Sequence, residues 1–368
     1  VQLALRGVEV LVVEKQRFPR DKVCGDALMP DALRALGRAG ASEAVSARGV
    51  VARRLVLYSP SRYAVDIDAP TLTIRRRVLD EVLAESAARA GAVIAQGDVQ
   101  SIESDGRRVR LGLARKGATV TASIVLLATG ADVRLLRQVA TLQHEHPSAV
   151  AVRRFVRSRV VIDQLIVSFD RSILPGYAWV FPLPDGEYNV GCGIVYAHAT
   201  GRLDLNSRLD AFLREFPVAR KVMMSAVSVE PLQGATLRAG LRVVRRMHAP
   251  NVLAIGENLG ATLPLSGEGI GKAMETGERA AEIVAAALSR GDVNVTCDFA
   301  NYVTTLRPLY EAYRTGEAWL ARPWLNDAVM RLVQRSPYAR RVIAEIIDET
   351  ADPAAIFSLS GIARMLLS

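Results

Sequence analysis

Gly256-Glu257-Asn258-Leu259-Gly260-Ala261-Thr262-Leu263-Pro264-Leu265-Ser266-Gly267-Glu268-Gly269-Ile270-Gly271 follows the apolar run Val252-Leu253-Ala254-Ile255 and opens a long helical pattern. The order is strand, loop, helix N-terminus. Gly267 and Gly269 let backbone N–H groups approach a flat or anionic ligand with no Cβ in the way, and the start of the helix adds partial positive charge. Glycines also serve tight strand-to-helix turns, so their number alone leaves a ligand loop and a plain turn both open.

Two strings upstream extend the pattern. Pro175-Gly176-Tyr177-Ala178-Trp179-Val180-Phe181-Pro182 places Tyr177, Trp179 and Phe181 on one face of a strand. Pro182 and Pro184-Asp185-Gly186 make a turn, and Tyr188 to Val195, with Val190-Gly191-Cys192-Gly193 inside it, returns as the partner. The residues alone describe a hairpin with an aromatic core face. Nearer the start, Phe18-Pro19-Arg20-Asp21-Lys22-Val23-Cys24-Gly25-Asp26 carries a cysteine that packing by itself would explain as a small hydrophobe.

Together these strings resemble the geranylgeranyl reductase family of flavoproteins, whose relatives include flavin monooxygenases and halogenases. The 256–271 stretch is similar to that family's second flavin motif, Gly-Asp-Ala-Ala-Gly, a gap, then Pro-x-x-Gly-Glu-Gly-Ile. The 175–193 stretch is similar to Pro-x-x-Tyr-x-Trp-x-Phe-Pro with Val-Gly-x-Gly, offset by one residue, and the 18–25 stretch to Phe-Pro-Arg-x-Lys-x-Cys-Gly. The resemblance spans most of the chain. It implies an α/β fold: a Rossmann-like FAD-binding domain, an inserted antiparallel-sheet substrate domain and a C-terminal helical region. The expected boundaries are 1–50, 70–140 and 240–295 for FAD binding, 51–69 and 141–239 for the substrate domain, and 296–368 for the helices.

Val8-Glu9-Val10-Leu11-Val12-Val13-Glu14 reads as the second strand of a dinucleotide-binding unit. Glu14, followed by Lys15, stands where such folds place the carboxylate that accepts from the adenosine ribose. The glycine fingerprint belongs about 20 residues before that acid, ahead of Val1. The chain is therefore expected to be a fragment lacking its first strand and G-x-G-x-x-G loop, or to have a misassigned start. The resemblance further implies that Arg76 reaches the flavin, that the backbone at Val99 brackets adenine, and that Gly130 lies in a degraded Gly-Ala-Asp-Gly turn. Gly256, Glu257, Pro264, Gly267, Glu268, Gly269 and Ile270 carry the second motif. Glu257 is one methylene longer than the family's Asp, and Asn258 replaces a small residue.

Composition limits the alternatives. Half of the 368 residues are hydrophobic, which excludes a disordered chain. Cys24, Cys192 and Cys297 are scattered and odd in number, against a disulfide framework or zinc site and for a reducing, cytoplasmic compartment. No metal-ligand cluster is visible, and no apolar run approaches the ~18 residues of a spanning helix. The net charge of +9 is arginine spread along the chain, which suits anionic lipid or pyrophosphate better than nucleic acid. Trp319, Trp324, Tyr310, Tyr313 and Tyr338 alternate with arginines near the C-terminus, a mixture that suits either a packed helical cap or a peripheral contact with the inner membrane face.

The implied chemistry is saturation of isoprenoid double bonds in a prenyl lipid, quinone tail or pigment precursor by reduced FAD. Cys24, Tyr177 and Trp179 are the expected catalytic wall: the aromatics hold the alkene in a dry slot, and Cys24 stands near the ring. The electron donor, NAD(P)H or ferredoxin, has no readable site. Two alternatives remain: a flavin monooxygenase or halogenase on the same scaffold, and a non-catalytic, degenerate relative.

Overall fold

The structure, a computed structural model, describes residues 1–115, 117–199 and 204–367. Its largest element is a nine-stranded sheet running Ala226–Val229, Ala149–Ser158, Glu187–Val195, Gly176–Leu183, Leu165–Ser168, Val50–Tyr58, Ala64–Thr73 and Ala27–Leu28, with Gln233–Leu237 also on Ala149–Ser158. Neighbours are antiparallel except Leu165–Ser168 with Val50–Tyr58. Alternation sets its faces. In Ala64–Thr73, Val65, Ile67 and Ala69 are buried while Asp66 and Asp68 point to solvent.

Gly176–Leu183 is covered on both sides. Ala178 and Val180 face a cluster with Leu209, Phe212 and Val222, carried by helices Leu205–Glu215 and Pro217–Met224, and with Phe216 between the two helices. Trp179 and Phe181 belong to the opposite face and the main core. The expected hairpin is there, with its turn at Pro184–Gly186; Pro182 stays in the strand rather than turning.

The Rossmann-like layer consists of two parallel pairs, Leu11–Glu14 with Val93–Gln96 and Val125–Leu127 with Val252–Ala254. The first pair leaves Leu11 and Val93 exposed. Helix Arg76–Arg89 leads into Val93–Gln96, and helix Ile270–Ser289 follows the glycine loop. The C-terminal helices Thr296–Leu320, Pro323–Arg335 and Pro337–Ile347 pack back on the large sheet. One tie is polar: Asp327 accepts from Ser59 Oγ at 2.6 Å and from the Ser61 backbone at 2.9 Å. Tyr310 and Tyr313 are core residues and Trp319 stands edge-on to Phe357, while Trp324 is 70% exposed. The C-terminal aromatics are thus mostly packing. Among the described residues no helix is long and apolar enough to cross a membrane.

Candidate active site

Between the large sheet, the glycine loop and the C-terminal helices lies a cavity of 1460 Å³. Small-molecule pockets usually span ~300–1,000 Å³, so there is room for an extended cofactor and a second, apolar ligand. Leu55, Leu57, Leu165 and Val167 come from the sheet, and Val329, Met330, Val333 and Ile346 from the helices. Those helices form a wall of the cavity as well as a cap, which amphipathic pattern alone does not reveal.

Strand register decides the floor. Tyr177, Gly193 and Ala151 are paired across three strands, then Trp179, Gly191 and Arg153, then Phe181, Asn189 and Phe155. Tyr177, Trp179 and Phe181 therefore form an unbroken aromatic run, with centroids 6.0 and 6.2 Å apart. A Cβ at Gly191 would lie 2.4 Å from Trp179 Cζ2. The glycine is what allows the indole to lie across the neighbouring strand, a physical reason for the Val-Gly-x-Gly string.

The Cys24 segment is tied to this floor by one amide. Asn189, fully buried, accepts from Trp179 Nε1 at 2.9 Å and donates from Nδ2 to the Cys24 carbonyl at 2.8 Å and to Asp26 Oδ2 at 2.7 Å. Asp26 has φ +64° and also accepts from the Arg76 backbone at 3.0 Å. Burial pushes its carboxyl up to about 6, against the Asn189 hydrogen bond that favours the charged form. Burial likewise raises the Cys24 thiol, while the nearby Arg76 guanidinium pulls the other way. Arg76 keeps its charge despite burial, being bidentate on Asp80 at 2.8 and 3.0 Å. Cys24 is thus a thiol at neutral pH with a cation beside it.

The glycine loop closes the opposite side. Gly267 has φ +69°, and a Cβ there would lie 2.8 Å from Tyr177 Oη; one at Gly269 would lie 2.8 Å from Thr262 Oγ1. Tyr177 Oη donates to the Ser266 carbonyl, locking the loop to the aromatic wall. Helix Ile270–Ser289 starts without a side-chain cap, and Gly269 and Ile270 at its start line the cavity. Glu268, in the loop, is pushed up to about 8 by burial and by the neighbouring Asp31 and Glu349.

Gly130 lies at φ +68°, and a Cβ there would meet Lys22 Nζ at 3.4 Å and Glu257 Oε2 at 3.5 Å. Burial and Arg76 lower the Lys22 ammonium, while burial raises Glu257. Asn258, an apparent departure in the sequence, has a structural role. Its carboxamide accepts from Thr129 N at 3.0 Å and donates to the carbonyls of Gly130 and Asp132 at 2.9 Å each, pinning the 129–132 turn.

Of the residues singled out in the sequence, Cys24, Gly25, Arg76, Gly130, Tyr177, Trp179, Gly256, Glu257, Pro264, Gly267, Glu268, Gly269 and Ile270 share the cavity. Glu14, Lys15 and Val99 lie outside its wall. Glu14 ends its strand with its carboxylate on Arg20 at 3.2 Å, and Val99 opens a strand paired with Leu113. Asn189 and Arg153 are not singled out by the sequence, and Asn258 reads there only as a departure from the motif, because each takes its meaning from partners brought in by tertiary register.

A family model described as lycopene cyclase protein matches residues 41–318. The menaquinone reductase of Mycolicibacterium smegmatis is 31% identical, covering 98% of this chain and 92% of that protein. The chain belongs to the geranylgeranyl reductase family of FAD-dependent oxidoreductases. Digeranylgeranylglycerophospholipid reductase 2 of Methanosphaera stadtmanae is 26% identical over 79% of this chain and 75% of its own. The structure of a geranylgeranyl bacteriochlorophyll reductase-like protein from Thermoplasma acidophilum superposes with a TM-score of 0.76 at 19% identity, over 100% of this chain and 91% of that one. As in the rest of this reductase family, FAD is the cofactor, and the site fits it. Gly267, Glu268, Gly269 and Ile270, at the start of a helix with no side-chain cap, line a cavity larger than a usual small-molecule pocket.

Proposed function

We propose that this reductase saturates isoprenoid double bonds of a prenyl lipid or quinone tail. The observation that carries this reading is the shared amide of Asn189, which fixes the Cys24 segment against Trp179 on the wall of an apolar cavity. Reduced FAD supplies the hydride. The remaining requirements fall on this chain's own residues.

The Tyr177, Trp179 and Phe181 run holds a flat alkene and excludes water. Cys24 delivers the proton to the second carbon: burial keeps it an S–H, and Arg76 stabilises the thiolate left behind. When FAD is bound, the backbone N–H groups at Gly267 to Ile270 would stabilise negative charge on its ring, Glu257 would accept from its ribityl hydroxyls, and Arg76 would help to hold the ring. Glu14, Lys15 and Val99 serve the adenosine end, with the binding domain drawn from 1–50, 70–140 and 240–295. The donor is NAD(P)H or a ferredoxin. The protein works in the cytoplasm at the inner membrane face, where the exposed Trp324 and Leu359 meet lipid.

The experiment is anaerobic mixing of the reduced holoprotein with a prenylated quinone or prenyl lipid, followed by mass spectrometry. The expected product gains two hydrogens per reduced double bond while the flavin is oxidised. A product carrying added oxygen or halogen under aerobic turnover would replace the reductase reading with the monooxygenase or halogenase one.

A further inference from the structure

Among the described residues Arg153 is a buried cation with no hydrogen-bonded partner. It is 3% exposed and lines the cavity, yet among the described residues no carboxylate or carbonyl accepts from its guanidinium, and Nε is buried without an acceptor. Its guanidinium lies over the Phe155 ring at 4.0 Å, and Arg75 lies over the same ring at 3.7 Å. The two arginines differ in one respect. Arg75 is paired with Glu187 and with Glu230 at 2.7 Å, whereas Arg153 feels Asp26 and Glu230 only through space. Guanidinium cannot shed its proton to escape burial. A charge held this way is costly to the fold unless a ligand completes it.

Its position says what that ligand is. Arg153, Gly191 and Trp179 are paired across three strands, so Arg153 stands about two strand spacings, roughly 10 Å, from Trp179 on the same floor. Gly191 has no side chain, which lets the Trp179 indole lie across the strand between them. Arg153 and Trp179 both line the cavity, so a flat ligand that reaches Arg153 from the cavity lies beside that indole. Guanidinium presents a planar fork of donors that suits an oxygen in the plane of a ring. Asp26 nearby offsets the charge of Arg153, which disfavours a multiply charged phosphate and leaves a neutral acceptor as the better fit.

We propose that Arg153 is a head-group subsite, donating hydrogen bonds to a carbonyl oxygen of a flat quinone-type ring whose prenyl tail runs back over Trp179 and Tyr177. The tail assignment rests on the prenyl-reductase reading; the head assignment stands on Arg153 itself.

The test uses FAD-loaded wild type, Arg153→Gln and Arg153→Lys. Calorimetry measures binding of a tailless naphthoquinone, and steady-state kinetics compare a prenylated naphthoquinone with a prenyl monophosphate. Arg153→Gln is expected to weaken quinone binding ~10–100-fold, the worth of a charged hydrogen bond, and to raise KM for the prenylated quinone in step, with kcat nearly unchanged. Arg153→Lys, which keeps the charge and loses the fork, is expected to recover only part. The melting temperature should hold or rise in Arg153→Gln, since an uncompensated buried charge is gone. Equal quinone affinity in wild type and either variant overturns the proposal, as does a larger loss for the phosphate than for the quinone, or a fall in melting temperature with all substrates affected alike. If wild type reduces no prenyl compound while quinone binding still depends on Arg153, the prenyl reading fails and the head-group subsite stands.

Discussion

Trp179 gives its indole N–H to the carboxamide of Asn189 at 2.9 Å, and the same carboxamide holds the backbone of Cys24 and the carboxylate of Asp26. One buried side chain thus couples the aromatic wall to the only cysteine on the cavity wall among the described residues. Asn189→Ala leaves a buried N–H, a carbonyl and a carboxylate oxygen without this partner. The expected cost is of order 3 kcal/mol, read from denaturant melts, with turnover falling as well. A variant as stable and active as wild type would show that the amide is incidental.

Cys24→Ala separates packing from chemistry. Loss of so small a side chain should cost about 1 kcal/mol of stability. Loss of a proton donor should lower single-turnover flavin reoxidation by ~10²-fold or more with FAD content unchanged. An unaltered rate in a folded, FAD-loaded variant removes Cys24 from the chemistry and leaves the aromatics alone.

How much of this was open to sequence reading differs by residue. The glycine loop is legible because Gly267 needs a positive φ and Gly269 a close approach, both local demands that only glycine meets. Tyr177, Trp179 and Phe181 are legible as one face because strand alternation is local too. Asn258 reads as a defect until the 129–132 turn is folded against it. Arg153 reads as one arginine among many, since its lack of partners is a property of packing. The C-terminal helices show their apolar faces in sequence but not that part of those faces lines a cavity.

Gly191 offers a steric test with an internal control. A Cβ there would lie 2.4 Å from both Trp179 Cζ2 and the Val152 carbonyl, whereas at Gly193 the nearest atom, Ala151 Cβ, is 3.4 Å away. Gly191→Ala is therefore expected to cost ~1–3 kcal/mol from overpacking and to displace the indole, lowering kcat/KM. Gly193→Ala should be close to wild type in both. Similar behaviour of the two variants, compared by melting temperature and turnover, would mean that the indole does not depend on the bare strand.

Glu268 carries the pH dependence. In the folded, flavin-free protein its carboxyl titrates at about 8, raised first by burial and then by Asp31 and Glu349, with Lys272 opposing. An unfolded glutamate titrates near ~4.3. Between those values the native state keeps a proton that the unfolded chain has released, so stability is greatest below the lower value, falls as pH rises through the window, and levels off above about 8. Asp26, raised to about 6, has the same sign but finishes its contribution earlier. Glu268→Gln holds the neutral form permanently. Its melting temperature should match wild type near pH 4.5 and exceed it at pH 9, and between pH 6.5 and 8.5 its slope should be the shallower of the two by the Glu268 contribution, the part due to Asp26, which titrates at about 6, being common to both proteins. Melting curves of both proteins from pH 4.5 to 9 decide the matter: parallel slopes between pH 6.5 and 8.5 would mean that Glu268 is ionised in the fold, and that the loop presents a negative charge to the cavity instead of a neutral acid.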